Sequence, residues 1–145
     1  MNDLDNITNL LYGEGEPMQG GELTLEEAKT IGSSYACYKP YRIVRQWIWA
    51  DLDVGEKIID DLQQKGLKPV MVYADEVMFD STHRFARGNW VRTTPLVKFT
   101  PPCIFETINT VYILVGEGKR KNHLATSHHE HLLKSTADDS TNGAR

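Results

Sequence analysis

The sequence predicts an α+β fold: short helices packed on a curved, mostly antiparallel β-sheet or small β-barrel, followed by a disordered C-terminal tail. Three observations carry this reading. An apolar stripe at helical spacing runs through residues 53–65. Aromatic and β-branched runs bounded by proline or glycine lie on both sides of it. From Ser135 onward the chain is almost entirely small and polar, with no side chains to build a core.

Taken in order, Leu4, Ile7, Leu10 and Leu11 recur at helical spacing and predict a short N-terminal helix. Gly13-Glu14-Gly15-Glu16-Pro17 stops it, and the stretch to Gly21 reads as loop. Thr24-Leu25-Glu26-Glu27 has the pattern of a capping box, in which the threonine hydroxyl and the Glu27 carboxylate each satisfy a free backbone N–H. Leu25, Ala28 and Ile31 form the apolar stripe of that helix, and Gly32 is assigned its left-handed C-terminal position. After Pro40, the run Tyr41–Trp49 predicts a strand interrupted by Arg42 and Arg45.

Residues 53–65 predict the clearest helix. Asp53 and Glu56 have N-cap and N3 spacing, and Val54, Ile58, Ile59 and Leu62 share one face. Asp53, Glu56 and Asp60 fall on the opposite face. Lys65 suits the negative end of the helix dipole, Gly66 ends the helix, and Pro69 prevents its resumption. Val70–Ala74 then reads as a strand, Val77–Phe79 as a further short one, and Asp80–Asn89 as a polar connection. Whether the strands on either side of the helix run parallel stays open.

The β unit follows. Trp90–Thr94 and Leu96–Phe99 flank Pro95, which marks an edge or a bulge, and Thr100-Pro101-Pro102 must turn. Ile104–Val115 reads as one long extended run, with Asn109 at a kink or on its open face, and Gly116-Glu117-Gly118 ends the sheet. No internal repeat is present. The organisation expected is one domain over residues 1–134 and a tail over 135–145.

Composition bounds the function class. Hydrophobic residues make up 40% and charged residues 25%, a globular balance. No run approaches the roughly 20 apolar residues of a membrane span, and the acidic first fifteen residues lack the pattern of a secretory signal. The expected location is the cytoplasm, with no membrane partner. Cys37 and Cys103 stand far apart, outside any CxxC pair, and read as two small buried apolar side chains rather than a disulfide framework or thiolate zinc site. Asn6-Ile7-Thr8 matches a glycosylation acceptor that a cytosolic chain never uses. Charge is unevenly spread: residues 1–80 hold 7 Lys/Arg against 15 Asp/Glu, and residues 81–121 hold 7 against 2. Such polarity can steer a charged partner, or it can be two solvated surfaces that offset each other.

Three stretches carry a family resemblance: Gly88-Asn89-Trp90-Val91-Arg92-Thr93-Thr94-Pro95-Leu96-Val97, Phe105-Glu106-Thr107-Ile108-Asn109-Thr110-Val111-Tyr112 and Gly116-Glu117-Gly118-Lys119-Arg120-Lys121. Together they resemble a family of small uncharacterised proteins of bacterial genomes and their phages or prophages, over roughly residues 85–121 and reaching back toward Cys37. The resemblance implies a small accessory gene product of bacterial or phage origin. It supplies no catalytic residues.

Candidate chemistry is sparse. Gly116-Glu117-Gly118-Lys119 fails as a phosphate loop, because Ile113 stands where its first glycine belongs and Arg120 where its hydroxyl belongs. Arg84, Arg87, Arg92, Lys119, Arg120 and Lys121, with Lys98, offer a basic surface on which Trp90, Phe99 and Tyr112 could stack single-stranded nucleic acid. The plain alternative is that those aromatics point inward and the charges scatter. His123, His128, His129 and His131 with Glu130 lack the spacing of a known zinc motif, so no metal and no cofactor is expected. Asp75, Glu76, Asp80 and His83 could make an acid–base group, but polar residues at a strand end are usually a loop. The reading that results is a non-catalytic binding protein engaging a host protein or protein complex, with Asp53, Glu56 and Asp60 as contact candidates. A nucleic-acid-binding module comes second and an enzyme of unknown chemistry third.

Overall fold

The computed structural model describes residues 15–124. Its elements are β1 (Glu16–Gln19), α1 (Leu25–Ser33), β2 (Tyr41–Asp53), α2 (Glu56–Gln64), β3 (Val70–Asp80), β4 (Val91–Arg92), β5 (Lys98–Thr100), β6 (Ile104–Glu106), β7 (Val111–Leu114) and β8 (Glu117–Leu124). They form two helices on one curled, mixed sheet in which antiparallel pairs predominate.

The sheet is organised around β2. Its 13 residues carry β3 antiparallel along one side. On the other side β7 pairs with Tyr41–Val44 and β8 with Ile48–Asp53, both parallel. β7 and β8 therefore lie end to end along one strand. Between them Gly116 has φ +75°, and Gly20 and Gly21 insert there: Gly116 donates to Gly21, while Gly20 and Gly21 donate to Gly116 and Leu114. Opposite this break β2 is itself irregular, with Gln46 at φ +54° and a register shift at Ile43/Val44, the devices that let a strand bend.

The alternation of a strand then builds two cores. Trp47 and Trp49 face one way, into a cluster with Val72, Ala74, Phe105 and Tyr112. Trp49 meets Phe99 and Phe105 edge-on, so β5 and β6 curl over it. Gly118 lies flat against the Trp47 ring, where a Cβ would collide with the indole. Ile48, Ala50 and Leu52 face the other way and are covered by Ile58 and Leu62 of α2, with Leu67, Met71 and Tyr73.

The two clearest helical patterns fold as helices. α1 has the full capping box: the Glu27 N–H donates to the Thr24 hydroxyl at 3.1 Å, and the Thr24 N–H donates to the Glu27 carboxylate at 2.9 Å. Gly32, however, lies inside α1 without a left-handed backbone; a Cβ there would strike the Tyr41 ring, so close packing explains it. α2 buries Ile58 and Leu62 as its stripe requires, but it starts at Glu56 with Gly55 at the N-cap. Asp53 is the last residue of β2, held in the parallel ladder opposite Leu124. There the ladder to β8 holds the residue extended, so it serves the strand and not the helix N-cap.

Other expectations need correcting. The strands around α2, whose relative direction the sequence leaves open, are antiparallel. β2 spans about 43 Å at ~3.3 Å per residue, whereas nine helical residues span about 14 Å, too little to carry the chain back for a parallel start. β3 runs unbroken through Val77–Phe79 to Asp80. Residues 104–115 form a hairpin, because the Thr107 hydroxyl accepts from the Thr110 N–H and donates to the Thr110 carbonyl, closing a turn between β6 and β7. The 116–118 glycines open β8 instead of ending the sheet. Residues 16–19, read as loop, pair with β8. Cys103 is buried as expected, but Cys37 is exposed. The expected N-terminal helix at Leu4–Leu11, His128–His131 and the tail lie outside the described residues, and so does the boundary expected at residue 134.

Candidate functional site

Two features meet at the N-terminal end of β2. The first is a buried polar network. Arg42 and Asp80, opposite each other in the β2–β3 ladder, are 1% and 2% exposed. The Arg42 Nε lies 3.5 Å from Asp80 Oδ1, and its Nη1 donates to the Tyr112 hydroxyl at 2.8 Å. The guanidinium also lies against the Phe85 ring, 4.3 Å from its centroid. Asp80 is further bound by the loop that follows it. The Thr82 N–H and hydroxyl donate to Oδ1 at 3.0 and 2.9 Å, and the Arg84 and Phe85 N–H groups donate to Oδ2 at 2.9 Å each. Burial alone would raise the Asp80 carboxyl, but the N–H groups of Phe85 and Thr82, the Arg42 charge and the Thr82 hydroxyl together hold it below the usual carboxylate value.

The second feature is a pair of neighbouring turns on the β7 side of the same end. One joins α1 to β2 and carries Tyr35, Cys37 and Tyr38; the other joins β6 to β7 and carries Ile108. Lys39 ties them, donating to the Glu106 carboxylate and to the Thr107 carbonyl, each at 2.7 Å, and the Val111 N–H donates to the Pro40 carbonyl. The Tyr35 and Tyr38 rings meet tilted, 5.9 Å between centroids. Partial desolvation, then Glu106, Tyr35 and Cys37, raises the Tyr38 phenol above its ordinary value. Among the described residues, the exposed large hydrophobics are Tyr38 (59%) and Ile108 (37%), and both are here. Residues 30–41 and 99–116 hold one charged side chain each, Lys39 and Glu106, and those two pair with each other. In a chain that is 25% charged, the region is depleted of charge and enriched in tyrosine, the composition of an interface centre.

The residues singled out in the sequence are distributed differently. Asp53, Glu56 and Asp60 are all exposed and lie at the opposite end of β2, with Asp53 on the strand and the other two one turn apart on α2. The six basic candidates do not form one surface. Arg84 and Arg87 are exposed on the 81–90 loop beside β3, at the Arg42 end of β2. Arg92 and Lys121 are 8% and 7% exposed. Lys119 is exposed on β8 near the middle of β2, and Arg120 donates to both Asp51 carboxylate oxygens. The expected stacking faces are also engaged inside: Tyr112 is fully buried and Phe99 packs on Trp49.

No acid–base constellation is assembled by Asp75, Glu76, Asp80 and His83. Glu76 pairs with Arg45 at 2.8 Å, Asp80 is committed to Arg42 and its loop, and exposed His83 stacks edge-on to Phe79. The Tyr73 phenol, pushed up to about 12 by burial, lies among the apolar residues beneath α2. Among the described residues no group of three or more His, Cys, Asp or Glu is placed to hold a metal. No described helix is long and apolar enough to cross a membrane.

Sequence reasoning missed the paired turns. The available signal was the length of the two stretches nearly free of charge, which hydrophobic periodicity does not register because neither is a periodic element.

Residues 19–129 match a family described as a domain of unknown function (DUF6957), and the chain belongs to that family. Neither the curated proteins nor the solved structures contain a match.

Proposed function

We propose that this chain is a non-catalytic protein-binding module whose contact surface is the pair of turns carrying Tyr35, Tyr38 and Ile108. The observation that carries this is the coincidence of the exposed large hydrophobics with the stretches that lack charge. Tyrosines on a turn held by a part-buried ion pair lose little freedom on binding, which favours them as anchors. A phosphate backbone would find no unpaired lysine or arginine on this surface, since Lys39 is bound to Glu106. The resemblance to bacterial and phage proteins makes a cytoplasmic host protein the expected class of partner, by analogy.

A second reading places the contact at Asp53, Glu56 and Asp60, which would suit a basic partner. It is favoured by their exposure and by the lack of an ion pair to any of them among the described residues. Affinity capture from host lysate, with and without nuclease, tests both. The parent chain should recover a protein that survives nuclease. Tyr38→Ser with Ile108→Ser should lose it, and Asp53→Lys with Glu56→Lys and Asp60→Lys should keep it. The reverse pattern would move the contact to α2, and recovery that depends on nucleic acid would defeat both.

A further inference from the structure

We propose that residues 81–87 form a strap over Arg42, latched by Asp80 acting as the built-in occupant of an anion-binding site. The site consists of the Arg42 guanidinium, the Thr82 hydroxyl and the backbone N–H groups of Thr82, Arg84 and Phe85, all converging on one carboxylate. Such convergence of N–H groups beside a cation is what recognises a carboxylate or phosphate from outside; here the chain supplies its own.

The strap is fixed at both ends. Ser81 exchanges hydrogen bonds with Tyr41, its N–H donating to the Tyr41 carbonyl and its hydroxyl accepting from the Tyr41 N–H. Gly88 and Asn89 pair with Val77. Between those ends Phe85 is the one buried side chain, and it rests on the Arg42 guanidinium, with Arg84 against the same ring at 5.1 Å from its centroid. Phe85 joins the main core cluster, and the rest of the segment is held by the hydrogen bonds to the carboxylate. A segment with few buried contacts and one polar anchor opens more easily than the ladders beside it. Removing the Asp80 carboxylate takes away the acceptor on which the Arg42 guanidinium and the Thr82, Arg84 and Phe85 N–H groups converge, and a small carboxylate supplies the same acceptor atoms.

Trypsin reads the strap directly, because Arg84 and Arg87 lie on it. In the full chain, Asp80→Ala should be cut at these arginines at least about tenfold faster than the parent, since cleavage follows the open population. Lys57 on α2 and Lys65 just past its end should be cut far more slowly than the strap arginines, because they open only with the whole fold. Formate at about 0.1 M should slow the strap cleavage of Asp80→Ala by refilling the site, whereas chloride at equal ionic strength should not. Equal cutting of variant and parent, cutting that spreads to α2 at the same rate, or formate no better than chloride would each overturn the proposal. Amide exchange on the unaltered chain gives an independent reading. The Thr82, Arg84 and Phe85 N–H groups should exchange together through an opening that leaves the β2–β3 amides protected; exchange only with the ladder would overturn the latch.

Discussion

The two ends of β2 are held by different physics. Toward Asp53 the strand is covered by α2 through Ile58 and Leu62 over Ile48, Ala50 and Leu52, an apolar contact. Toward Tyr41 it holds the Arg42–Asp80–Tyr112 network, and beside it the turns tied by Lys39 and Glu106. Apolar burial is tolerant of exchange among residues of similar size, whereas a buried ion pair demands its partners in place. The first end is built for stability and the second for geometry, and the buried network and the paired turns both lie at the second.

The largest effect should come from breaking the network at one partner. Arg42→Ala or Asp80→Asn should cost about 3–5 kcal/mol in denaturant unfolding, because either leaves a buried group uncompensated. Replacing both with apolar residues of similar volume should cost less than either single change. If the singles cost no more than an exposed pair, the network is not what positions this end. The pH dependence has a definite sign. The folded Asp80 pKa is depressed, so its contribution is present above the unfolded value of about 3.9 and is lost as pH falls through the folded value. Asp80→Asn should flatten that part of the acid-unfolding profile.

Next comes the apolar end. Leu62→Ala should cost about 2–5 kcal/mol, since Leu62 is 1% exposed. The loss should be spread evenly over pH 3–7, unlike that of the Arg42 network, because no titrating group is removed. A pH-dependent Leu62→Ala penalty would mean that the two ends are coupled and the contrast between them false.

The same contrast explains what could be read from sequence. α2 was legible because Ile58, Ile59 and Leu62 within it, with Val54 just before it, recur on one face. The capping box of α1 was legible because both its members lie within four residues. Arg42 and Asp80 are 38 positions apart and look like ordinary surface charges, one interrupting a strand and one opening a loop. Their pairing is a property of the antiparallel register, which no local pattern encodes. Strand ends failed similarly: β2 runs past Trp49 because β3 and β8 pair with both its edges, and β8 exists because Gly118 fits against Trp47. Of the candidate sites, the exposed acidic residues were found, and the paired turns were not.

The smallest expected effects come from two N-terminal helix positions that the sequence treats alike. Thr24 and Asp53 each precede a helical pattern, and each has a glutamate three residues on. In the fold Thr24 is a working cap, its hydroxyl accepting from the Glu27 N–H, while α2 has Gly55 at its N-cap and no side-chain cap bond. Thr24→Ala should therefore cost about 1 kcal/mol, within the usual range for losing a cap. Asp53→Ala should cost less than about 0.5 kcal/mol, because an exposed strand-end carboxylate without an ion pair leaves little behind when removed. Asp60→Asn, on the solvent face of α2, should fall in the same small range. Thermal melts of the three variants on one scale decide the matter. An Asp53→Ala loss as large as that of Thr24→Ala would show that α2 begins at Asp53 in solution, and that the strand yields there to the helix its sequence prefers.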